Sequence, residues 1–332
     1  MQQRSVVVVG AGITGLWQAL TLARRGHRIR LVEQSTAPFA DAASRLAGAM
    51  LAPFCEAEAA EPVVRDLGLQ SLALWRGTFP GVTARGTLVV AGTRDRAELV
   101  RFARMTEGFD KLDAEQLDVL EPGLGGRFAA ALYYPDEAHM APTEAMSFLL
   151  DAARSAGVKV SFGTRWGGES QAADIVIDCR GLAARGELAG LRGVRGERVV
   201  VRTREVELTR PVRLLHPRHP LYVVPWPDGL FMIGATVIES EDSSSVTVRS
   251  ALDLLSMAYA LHPAFGEAEI IELGAGVRPA FADNVPKIVV RGRHIHVNGL
   301  YRHGFLMAPA LAALVADYLD KGTADARVFL FE

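Results

Sequence analysis

Residues 5–15, Ser-Val-Val-Val-Val-Gly-Ala-Gly-Ile-Thr-Gly, decide the fold of this chain. The β-branched run is typical of a strand that is buried on both faces, and it leads directly into a G-x-G-x-x-G motif. Apolar residues then recur at helical spacing as far as Gly26, and a second strand over 29–32 ends at Glu33. A strand, a glycine-rich turn, a helix and a strand closed by an acidic residue together predict a dinucleotide-binding βαβ unit.

Each residue of the motif has a physical reason. Gly10 permits the tight turn, Gly12 lets the backbone approach a pyrophosphate, and Gly15 lets the helix pack closely on the strand. The helix N-terminus adds unpaired N–H groups and a positive dipole end for phosphates, and Glu33 is expected to accept hydrogen bonds from a ribose. The motif predicts a bound dinucleotide but does not distinguish NAD from FAD.

The composition limits the class of protein. The chain has 332 residues, of which 49% are hydrophobic and 22% charged, which predicts two domains with a substantial core. A net charge of −2 provides no broad basic field, so we expect no nucleic-acid partner. Two cysteines favour a reducing cytoplasm over a secreted disulfide framework. No apolar run approaches about 18 residues, so we expect neither a membrane span nor a signal peptide.

Buried-strand patterns return after residue 140, which predicts that the chain leaves the dinucleotide domain and later comes back to it. Residues 35–55 are expected to be a loop whose small side chains let the backbone pass a flat ligand. Asp95 and Glu98 are expected to form a capping box. Expected helices cover 61–79, 95–106, 141–155 and 248–261, and expected strands cover 86–91, 132–134, 158–162 and 174–178. An antiparallel meander is predicted from short strands over 197–203, 211–215, 222–225, 230–235 and 269–273.

The segment NGLYRHGFLMAP, residues 298–309, joins a strand pattern to a helix pattern. It places a tyrosine, an arginine and a histidine between two glycines, although a simple turn needs none of these side chains. The planar fork of arginine matches a carboxylate, so Arg302 in this segment is a candidate binding residue. Arg278 is a second candidate, because Pro279 holds its backbone extended. Tyr222 is the third. Taken alone, Arg278 also fits an ordinary surface arginine, and Tyr222 also fits a core tyrosine with a satisfied hydroxyl.

The sequence shows no recognisable metal site or nucleophile motif. His294 and His296 alternate along one strand, but no third ligand follows at a metal-binding spacing, so we predict no metal. The sequence contains no G-x-S-x-G motif. Cys55 and Cys179 are expected to be small buried residues.

The order of these motifs resembles the D-amino-acid oxidase superfamily over essentially the full length, and within it the glycine oxidases of thiamine biosynthesis. The resemblance rests on GAGITG with Glu33, GAMLAP (48–53), LYVVP (221–225), GVRPAFADNVP (276–286) and LYRHGFLMAP (300–309). It implies an α/β fold, in which a Rossmann-like FAD-binding domain is interleaved with an antiparallel-sheet substrate domain. The implied FAD-binding domain comprises residues 1–58, 140–190 and 276–332, and the implied substrate domain comprises 59–139 and 191–275.

The resemblance implies non-covalent FAD, with the first amides of the last helix at the pyrimidine end of the flavin. It implies Arg278 as the carboxylate anchor, Tyr222 as an active-site hydroxyl and Arg302 as a second substrate-side group. Ala49 departs from the family, which carries glycine there, and 163–171 offers no clear adenine contact. With the glycine motif, the implied cofactor residues are Gly10, Gly12, Ile13, Thr14, Gly15, Glu33, Gln34, Ala43, Ser44, Gly48, Ala49, Met50, Leu300, Tyr301, Arg302, His303, Gly304, Phe305 and Leu306.

The implied activity is the oxidation of glycine, or of another small amino acid or amine, to the imine and then the 2-oxo acid. O2 is the implied electron acceptor, H2O2 its product, and thiamine thiazole the implied destination of the imine. The alternatives are a dehydrogenase with another acceptor, a tRNA-modifying flavoprotein, and a nucleotide sensor without activity. The near-neutral charge argues against tRNA. We expect a cytoplasmic protein without nucleic-acid or membrane partners, and a homo-oligomer is left open.

Overall fold

The computed structural model describes residues 3–167 and 173–332 of the chain. The helices of this part are α1 Ile13–Arg24, α2 Pro53–Glu56, α3 Pro62–Arg76, α4 Arg96–Met105, α5 Ala114–Leu120, α6 Pro142–Ser155, α7 Val248–Leu261 and α8 Gly304–Lys321. Its strands are β1 Ser5–Val9, β2 Arg28–Val32, β3 Met50–Leu51, β4 Thr87–Ala91, β5 Asp110–Asp113, β6 Ala130–Tyr134, β7 Ala138–His139, β8 Lys159–Ser161, β9 Ile175–Asp178, β10 Arg192–Arg202, β11 Val212–Leu215, β12 Leu221–Trp226, β13 Leu230–Gly234, β14 Glu269–Ala280, β15 Lys287–Arg291, β16 His294–Asn298 and β17 Phe329–Phe331.

The first sheet confirms the predicted βαβ unit. Its strand order is β17-β15-β16-β9-β1-β2-β8. The interior strand β1 pairs in parallel with β2 and β9, and β2 pairs in parallel with β8. Four valines, Val6 to Val9, are buried in β1. Because β8 and β9 belong to this sheet, the chain does return to it, as their apolar patterns predicted.

The second sheet confirms the predicted meander and extends it. Its order is β14-β10-β13-β12-β11-β4-β6-β5, and its neighbouring strands are antiparallel except for the parallel pair β4 and β11. Its strands lie within 87–134 and 192–280, so it interrupts the first sheet twice along the chain. The two interleaved layers match the predicted α/β architecture, and the exact domain boundaries stay a prediction.

Two local predictions were wrong. Asp95 is the N-cap of α4, but its side chain accepts no capping hydrogen bond; the capping box belongs to α5, where Asp113 and Gln116 bond each other's backbone. The 35–55 segment is also more ordered than a loop. It contains α2, a 3-10 helix over Ala43–Leu46, and β3, which pairs with β7. Those elements are too short to show a periodic pattern in sequence.

The glycine turn is held by direct backbone contact. Gly10 has a φ of +96°, and a Cβ on it would lie 2.8 Å from the carbonyl oxygen of Cys179. A Cβ on Gly15 would lie 1.8 Å from the carbonyl oxygen of Gly10. No side chain fits in either place, so α1 begins directly against the turn, as predicted for Gly15.

Helix α8 contains a proline, and a tryptophan from α3 compensates for it. Pro309 has no N–H for the carbonyl of Phe305, four residues earlier. The buried Trp75 donates its indole N–H to that carbonyl at 2.8 Å. Its ring also packs edge-on against Trp17 of α1 at a centroid distance of 4.9 Å. These contacts fix α8 against α1 and α3. In the described part of the chain, no helix combines the length and apolarity needed to cross a membrane.

A buried carboxyl anchors helix α2. Glu137 is 0% exposed, and its Oε1 accepts the backbone N–H of Cys55 at 2.7 Å. Burial raises the pKa of Glu137 to about 7, although Arg213 opposes the rise. Both cysteines, Cys55 and Cys179, are free and buried, as expected.

We predict that Gly15→Ala destabilises the protein by at least about 3 kcal/mol, because the new methyl group cannot avoid the carbonyl of Gly10. Urea unfolding measures the loss. Gly186→Ala is the matched control, since a Cβ there would have no heavy atom within 4 Å. Equal stabilities of the two variants would contradict the packing role of Gly15.

A second prediction concerns pH. A carboxyl whose pKa is raised keeps its proton in the folded protein after the unfolded chain has lost it, so the free energy of unfolding should fall as the pH rises from about 4.5 to about 7. Glu137→Gln cannot titrate. Relative to this variant, the native protein should lose about 2.5 kcal/mol between about pH 5 and about pH 8 in urea unfolding. The control is Glu144→Gln, at an exposed position of α6, whose free energy of unfolding should change with pH as that of the native protein does. If Glu137→Gln also showed the native pH dependence, the raised pKa of Glu137 would be refuted.

Candidate active site

A cavity of about 610 Å³ lies at the carboxyl ends of β1, β2 and β9. Val9, Val32 and Cys179, which end or follow these strands, contribute to its wall. This edge of a parallel sheet is where α/β proteins bind ligands, because the turns there lead into helix N-termini. The opposite wall comes from the second sheet and from the turn before α8.

The cavity brings together the residues that the sequence singled out, with one exception. Gly15 lies outside the lining, because it packs on Gly10. The predicted residues in the lining are Gly10, Gly12, Ile13, Thr14, Glu33, Gln34, Ala43, Ser44, Gly48, Ala49, Met50, Tyr222, Arg278, Leu300, Tyr301, Arg302, His303, Gly304, Phe305 and Leu306. Their individual binding roles stay predictions.

At the nucleotide end, Glu33 organises the turn. Its Oε2 accepts the N–H of Ala11 at 2.7 Å, and its Oε1 accepts the N–H of Ser35 at 3.0 Å. Each oxygen retains a lone pair, so Glu33 can still accept from a hydroxyl group. Ser44 Oγ accepts the N–H of Ile13 in the first turn of α1 at 3.1 Å.

The residues expected at adenine lie partly outside the described residues. Thr164, Arg165 and Trp166 line the cavity, while 168–171 is not among the residues that the structure describes. Sequence reasoning assigned none of these three. Their proximity to the turn is fixed by the bond from the N–H of Thr164 to the carbonyl of Glu33, at 2.8 Å.

Three non-glycine residues of the cavity wall have left-handed backbone conformations, and Phe39 is one of them, with a φ of +63°. Ala49 has a φ of +53° and Tyr301 a φ of +49°. Non-glycine residues take this conformation at a cost, and such residues cluster at functional sites. A positive φ favours glycine, which agrees with the glycine that the resemblance implied at position 49.

The N-termini of α1 and α8 both open into the cavity. Neither helix has an acidic residue in its first turn or a side chain of its N-cap residue bonded to it. Apart from the N–H of Ile13, which Ser44 accepts, their first N–H groups are therefore available to an anion. His303 stands at the α8 end, where burial lowers its pKa to about 4 despite Glu56. It is therefore neutral at pH 7. These two helix ends and the bare backbone at Gly10 suit a dinucleotide with a pyrophosphate and a ring that takes up negative charge.

The wall from the second sheet is a row of paired residues. Arg213 of β11 pairs with Tyr222 of β12, which pairs with Gly234 of β13. Gly234 also pairs with Arg198 of β10, which pairs with Gly274 of β14. Residues paired across neighbouring strands share one face of the sheet. The row therefore brings two arginines and a tyrosine to the same wall.

Glu56 of α2 neutralises part of this positive charge. It forms an ion pair with Arg213, and its Oε1 lies 3.8 Å from Nη2 of Arg302. Burial alone would raise the pKa of Glu56, but the charges of Arg213 and Arg302 outweigh it and hold the pKa well below its ordinary value. Glu56 is thus ionised at neutral pH. No motif marks it in the sequence, so sequence reasoning missed it, together with Arg213.

Arg278 has no acidic partner in the described part of the chain. Its Nη1 donates to the carbonyl of Thr236 at 3.2 Å. A Cβ on Gly196 of the neighbouring strand would lie 2.0 Å from its Nη2, so the guanidinium occupies the space of the missing side chain. Burial lowers the pKa of Arg278, as expected for a cation without a counter-charge. The predicted anchor is therefore a rigid cation that faces the cavity.

A carboxylate and histidine cluster lies beside the cavity. One potential ligand atom from each of Asp178, Glu187 and His296 lies within 4.8 Å of the others. The guanidinium of Arg180, another cavity residue that sequence reasoning missed, forms ion pairs with Asp178 and Glu187. The acidic groups are therefore paired with an arginine.

Comparison with known proteins agrees with this architecture. Residues 5–318 match the family described as FAD dependent oxidoreductase. A Rhizobium etli protein named thiamine biosynthesis oxidoreductase ThiO is 52% identical, over 94% of this chain and 95% of its own length. A glycine oxidase of Geobacillus kaustophilus is 29% identical, over 95% of this chain and 93% of its own length.

The solved structures show the same fold. The crystal structure of the Geobacillus kaustophilus glycine oxidase superimposes with a TM-score of 0.81 at 26% identity and covers 98% of this chain and 96% of its own. The family match spans nearly all of the chain and includes every strand of both sheets except β17, together with both helix N-termini of the cavity. The chain belongs to the family of FAD-dependent oxidoreductases.

Proposed function

We propose that this protein is an FAD-dependent oxidase of glycine or of another small amino acid or amine. The proposal rests mainly on Arg278, a cation of the cavity wall without an acidic partner among the described residues. It lines the same cavity as Tyr222. The names of the relatives support it, since one is a glycine oxidase and the other a thiamine biosynthesis oxidoreductase. In this proposal the imine product supplies thiazole synthesis, and O2 accepts the electrons to form H2O2.

The residues of the cavity fit FAD. The backbone of Gly10 and Gly12 and the N-terminus of α1 would hold the pyrophosphate, and Glu33 would accept from a ribose hydroxyl. The left-handed turn at Tyr301 and the N-terminus of α8 would hold the ring system. When bound, FAD supplies the electron acceptor for the hydrogen on the substrate α-carbon.

Arg278 orients the substrate. A zwitterion that enters a partly buried cavity must have its carboxylate paired, and the fork of Arg278 supplies two donors in a fixed plane. Gly196 beneath it and Pro279 after it restrict its movement. A rigid anchor fixes the α-carbon, which is the main requirement for a transfer between two bound groups.

The charges at this end of the cavity also favour the reactive form of the amine. Three guanidinium groups line this part of the cavity, those of Arg213, Arg278 and Arg302. The ionised carboxylate of Glu56 pairs with the first and the last of them. The excess positive charge disfavours an ammonium group and therefore lowers the pKa of a bound amine. A neutral amine has the lone pair that forms the C=N bond as the α-hydrogen leaves.

We infer a cytoplasmic location from the two buried free thiols, Cys55 and Cys179. The activity is tested with purified protein by following the flavin absorbance under anaerobic conditions with a panel of small amino acids, and then oxygen uptake with glycine. Reduction by glycine without oxygen uptake would favour a dehydrogenase, and no reduction by any amine would refute the proposal.

We predict that the purified protein is yellow and releases intact FAD on denaturation. Glu33→Ala should weaken FAD binding by about 1–3 kcal/mol, because two backbone N–H groups and a ribose hydroxyl lose their acceptor. Fluorescence titration of the apoprotein with FAD measures the change. Glu144→Ala on α6 is the control and should bind FAD like the native protein. Unchanged affinity in Glu33→Ala would show that the ribose contact is misassigned.

We predict that Arg278→Ala lowers kcat/KM for glycine by a factor of roughly 30 to 4000, equivalent to about 2–5 kcal/mol, while FAD stays bound. Arg278→Lys should recover only part of the loss, because a point charge lacks the two-pronged geometry. A neutral amine without a carboxylate should be much less affected. Arg202→Ala, at an exposed position of β10, is the matched control. If Arg278→Ala oxidises glycine with near-native kcat/KM, Arg278 is not the carboxylate anchor, and Arg302 becomes the candidate.

A further inference from the structure

The side chain of Arg278 crosses the neighbouring strand. Arg278 pairs with Val194 of β10, but its guanidinium lies over Gly196, where a Cβ would meet Nη2 at 2.0 Å. Its Nη1 donates to the carbonyl of Thr236, which lies on the far side of β10 from β14. Among the described residues, this carbonyl is the one hydrogen-bond partner of Arg278. The direction of the guanidinium therefore depends on where Thr236 holds its carbonyl.

Thr236 lies in a β-bulge just after β13. Gly234 pairs with Arg198 of β10, and Ile238 forms an isolated bridge with Arg195. The segment that contains Thr236 therefore has one residue more than the stretch of β10 that it faces, as in a bulge. Bulges are frequent next to active sites, where they re-aim a side chain.

The hydroxyl of Thr236 takes the place of its carbonyl in the strand pairing. In a regular hydrogen-bonded antiparallel pair, each residue donates its N–H to the carbonyl of the other. Thr236 does donate its N–H to the carbonyl of Glu197, at 3.1 Å. The N–H of Glu197, however, donates to Thr236 Oγ1, at 2.9 Å. The carbonyl of Thr236 is therefore left to accept from Arg278.

A buried ion pair holds the bulge and the loop that follows it. Arg195 is 3% exposed and Glu197 is 0% exposed, and Arg195 Nε donates to Glu197 Oε1 at 3.0 Å. The guanidinium of Arg195 also donates to three carbonyl groups of the 239–247 loop, those of Asp242 at 2.6 Å, Ser244 at 2.8 Å and Ser245 at 2.8 Å. Because a buried charge pair is costly to separate, these bonds fix the loop and, with it, the bulge.

We propose that Thr236 is a positioning residue for substrate binding. Its hydroxyl satisfies the N–H of Glu197, and its carbonyl is thereby left to orient the guanidinium of Arg278 toward a carboxylate. A residue without a side-chain acceptor would return the carbonyl to the strand pairing, because the N–H of a buried residue is costly to leave unsatisfied. This inference rests on the proposed function, because Arg278 must bind the substrate carboxylate.

The experiment measures the affinity for a carboxylate that is not a substrate. Methoxyacetate contains no amine and cannot be oxidised as one. It is titrated into the FAD-loaded protein, and the flavin absorbance reports the Kd. Thr236→Val has almost the same shape as threonine but no side-chain acceptor, and should bind methoxyacetate about three- to tenfold more weakly. Thr236→Ser keeps the hydroxyl and should bind it like the native protein.

Thr247→Val is the matched control in the same loop. Thr247 Oγ1 accepts the N–H of Ser250 in the first turn of α7, at 3.2 Å. This substitution also removes one hydroxyl acceptor, so urea unfolding should show a loss of stability in both valine variants. No described hydrogen bond joins Thr247 to Arg278, so Thr247→Val should keep the native Kd for methoxyacetate. A loss of affinity caused by lower stability alone would appear in both variants.

A double variant tests whether Thr236 acts through Arg278. Thr236→Val should lower kcat/KM for glycine by about the factor by which it weakens methoxyacetate binding. In the Arg278→Ala background it should cause no further loss, because two residues that act through one contact are not additive. A further loss of the same size would show that Thr236 acts independently of Arg278, and would overturn the proposed role.

Native affinity for methoxyacetate in Thr236→Val would also overturn the role, as would equal weakening in Thr247→Val or weakened binding by Thr236→Ser. If Thr236→Val does not fold or loses FAD, Thr236→Ala replaces it with the same expected results. If glycine reduces the flavin and only Arg278→Ala loses affinity for methoxyacetate, the positioning role alone is wrong. If no small amine reduces the flavin of the native protein, the oxidase proposal is wrong, and the positioning role with it.

Discussion

The contact between Gly15 and the carbonyl of Gly10 is the constraint on which the nucleotide half of this structure depends. It places the start of α1 directly against the end of β1, with no side chain between them. Helix α8 then packs on α1 and α3 through Trp17, Trp75 and Phe305. As a result, two helix N-termini face the same cavity. Dipoles and free N–H groups thus collect where a dinucleotide needs them, before any charged side chain is considered.

The substrate half depends on how positive charge is balanced. Burying a guanidinium is unfavourable unless an acid or a hydrogen-bond acceptor compensates. Glu56 compensates for Arg213 and Arg302, and its helix is itself anchored by Glu137. Among the described residues, Arg278 has one hydrogen-bond partner, a backbone carbonyl, and Arg198 shares the carboxylate of Glu272 with Arg45. The described acidic side chains of the cavity therefore do not balance all of its positive charge, and the proposed function assigns the remaining charge to the carboxylate of the substrate.

Much of the fold was predictable from the sequence, because its signals are local. The glycine spacing, the β-branched run and the acid at Glu33 act within about thirty residues. The meander and most helices follow from periodicity. The predictions failed for short or unpatterned elements, such as α2 and β3. They also placed the capping box at Asp95, whereas it is at Asp113. Such elements are held by contacts with distant segments, which local pattern does not contain.

The residues of the candidate site also fall into two groups, those that local sequence marks and those that only tertiary contacts bring together. The sequence by itself determined the dinucleotide turn, the junction before the last helix, and Arg278 as a candidate anchor, because glycines, prolines and motif order mark each of them. Only the tertiary structure decided that Arg278 lacks an acidic partner in the part of the chain that the structure describes, while Arg213 and Arg302 share Glu56. It also decided that Arg198, Arg213 and Tyr222 share one row. Strand register aligns residues that are far apart in the chain, and charge balance depends on which side chains that register brings within a few ångströms.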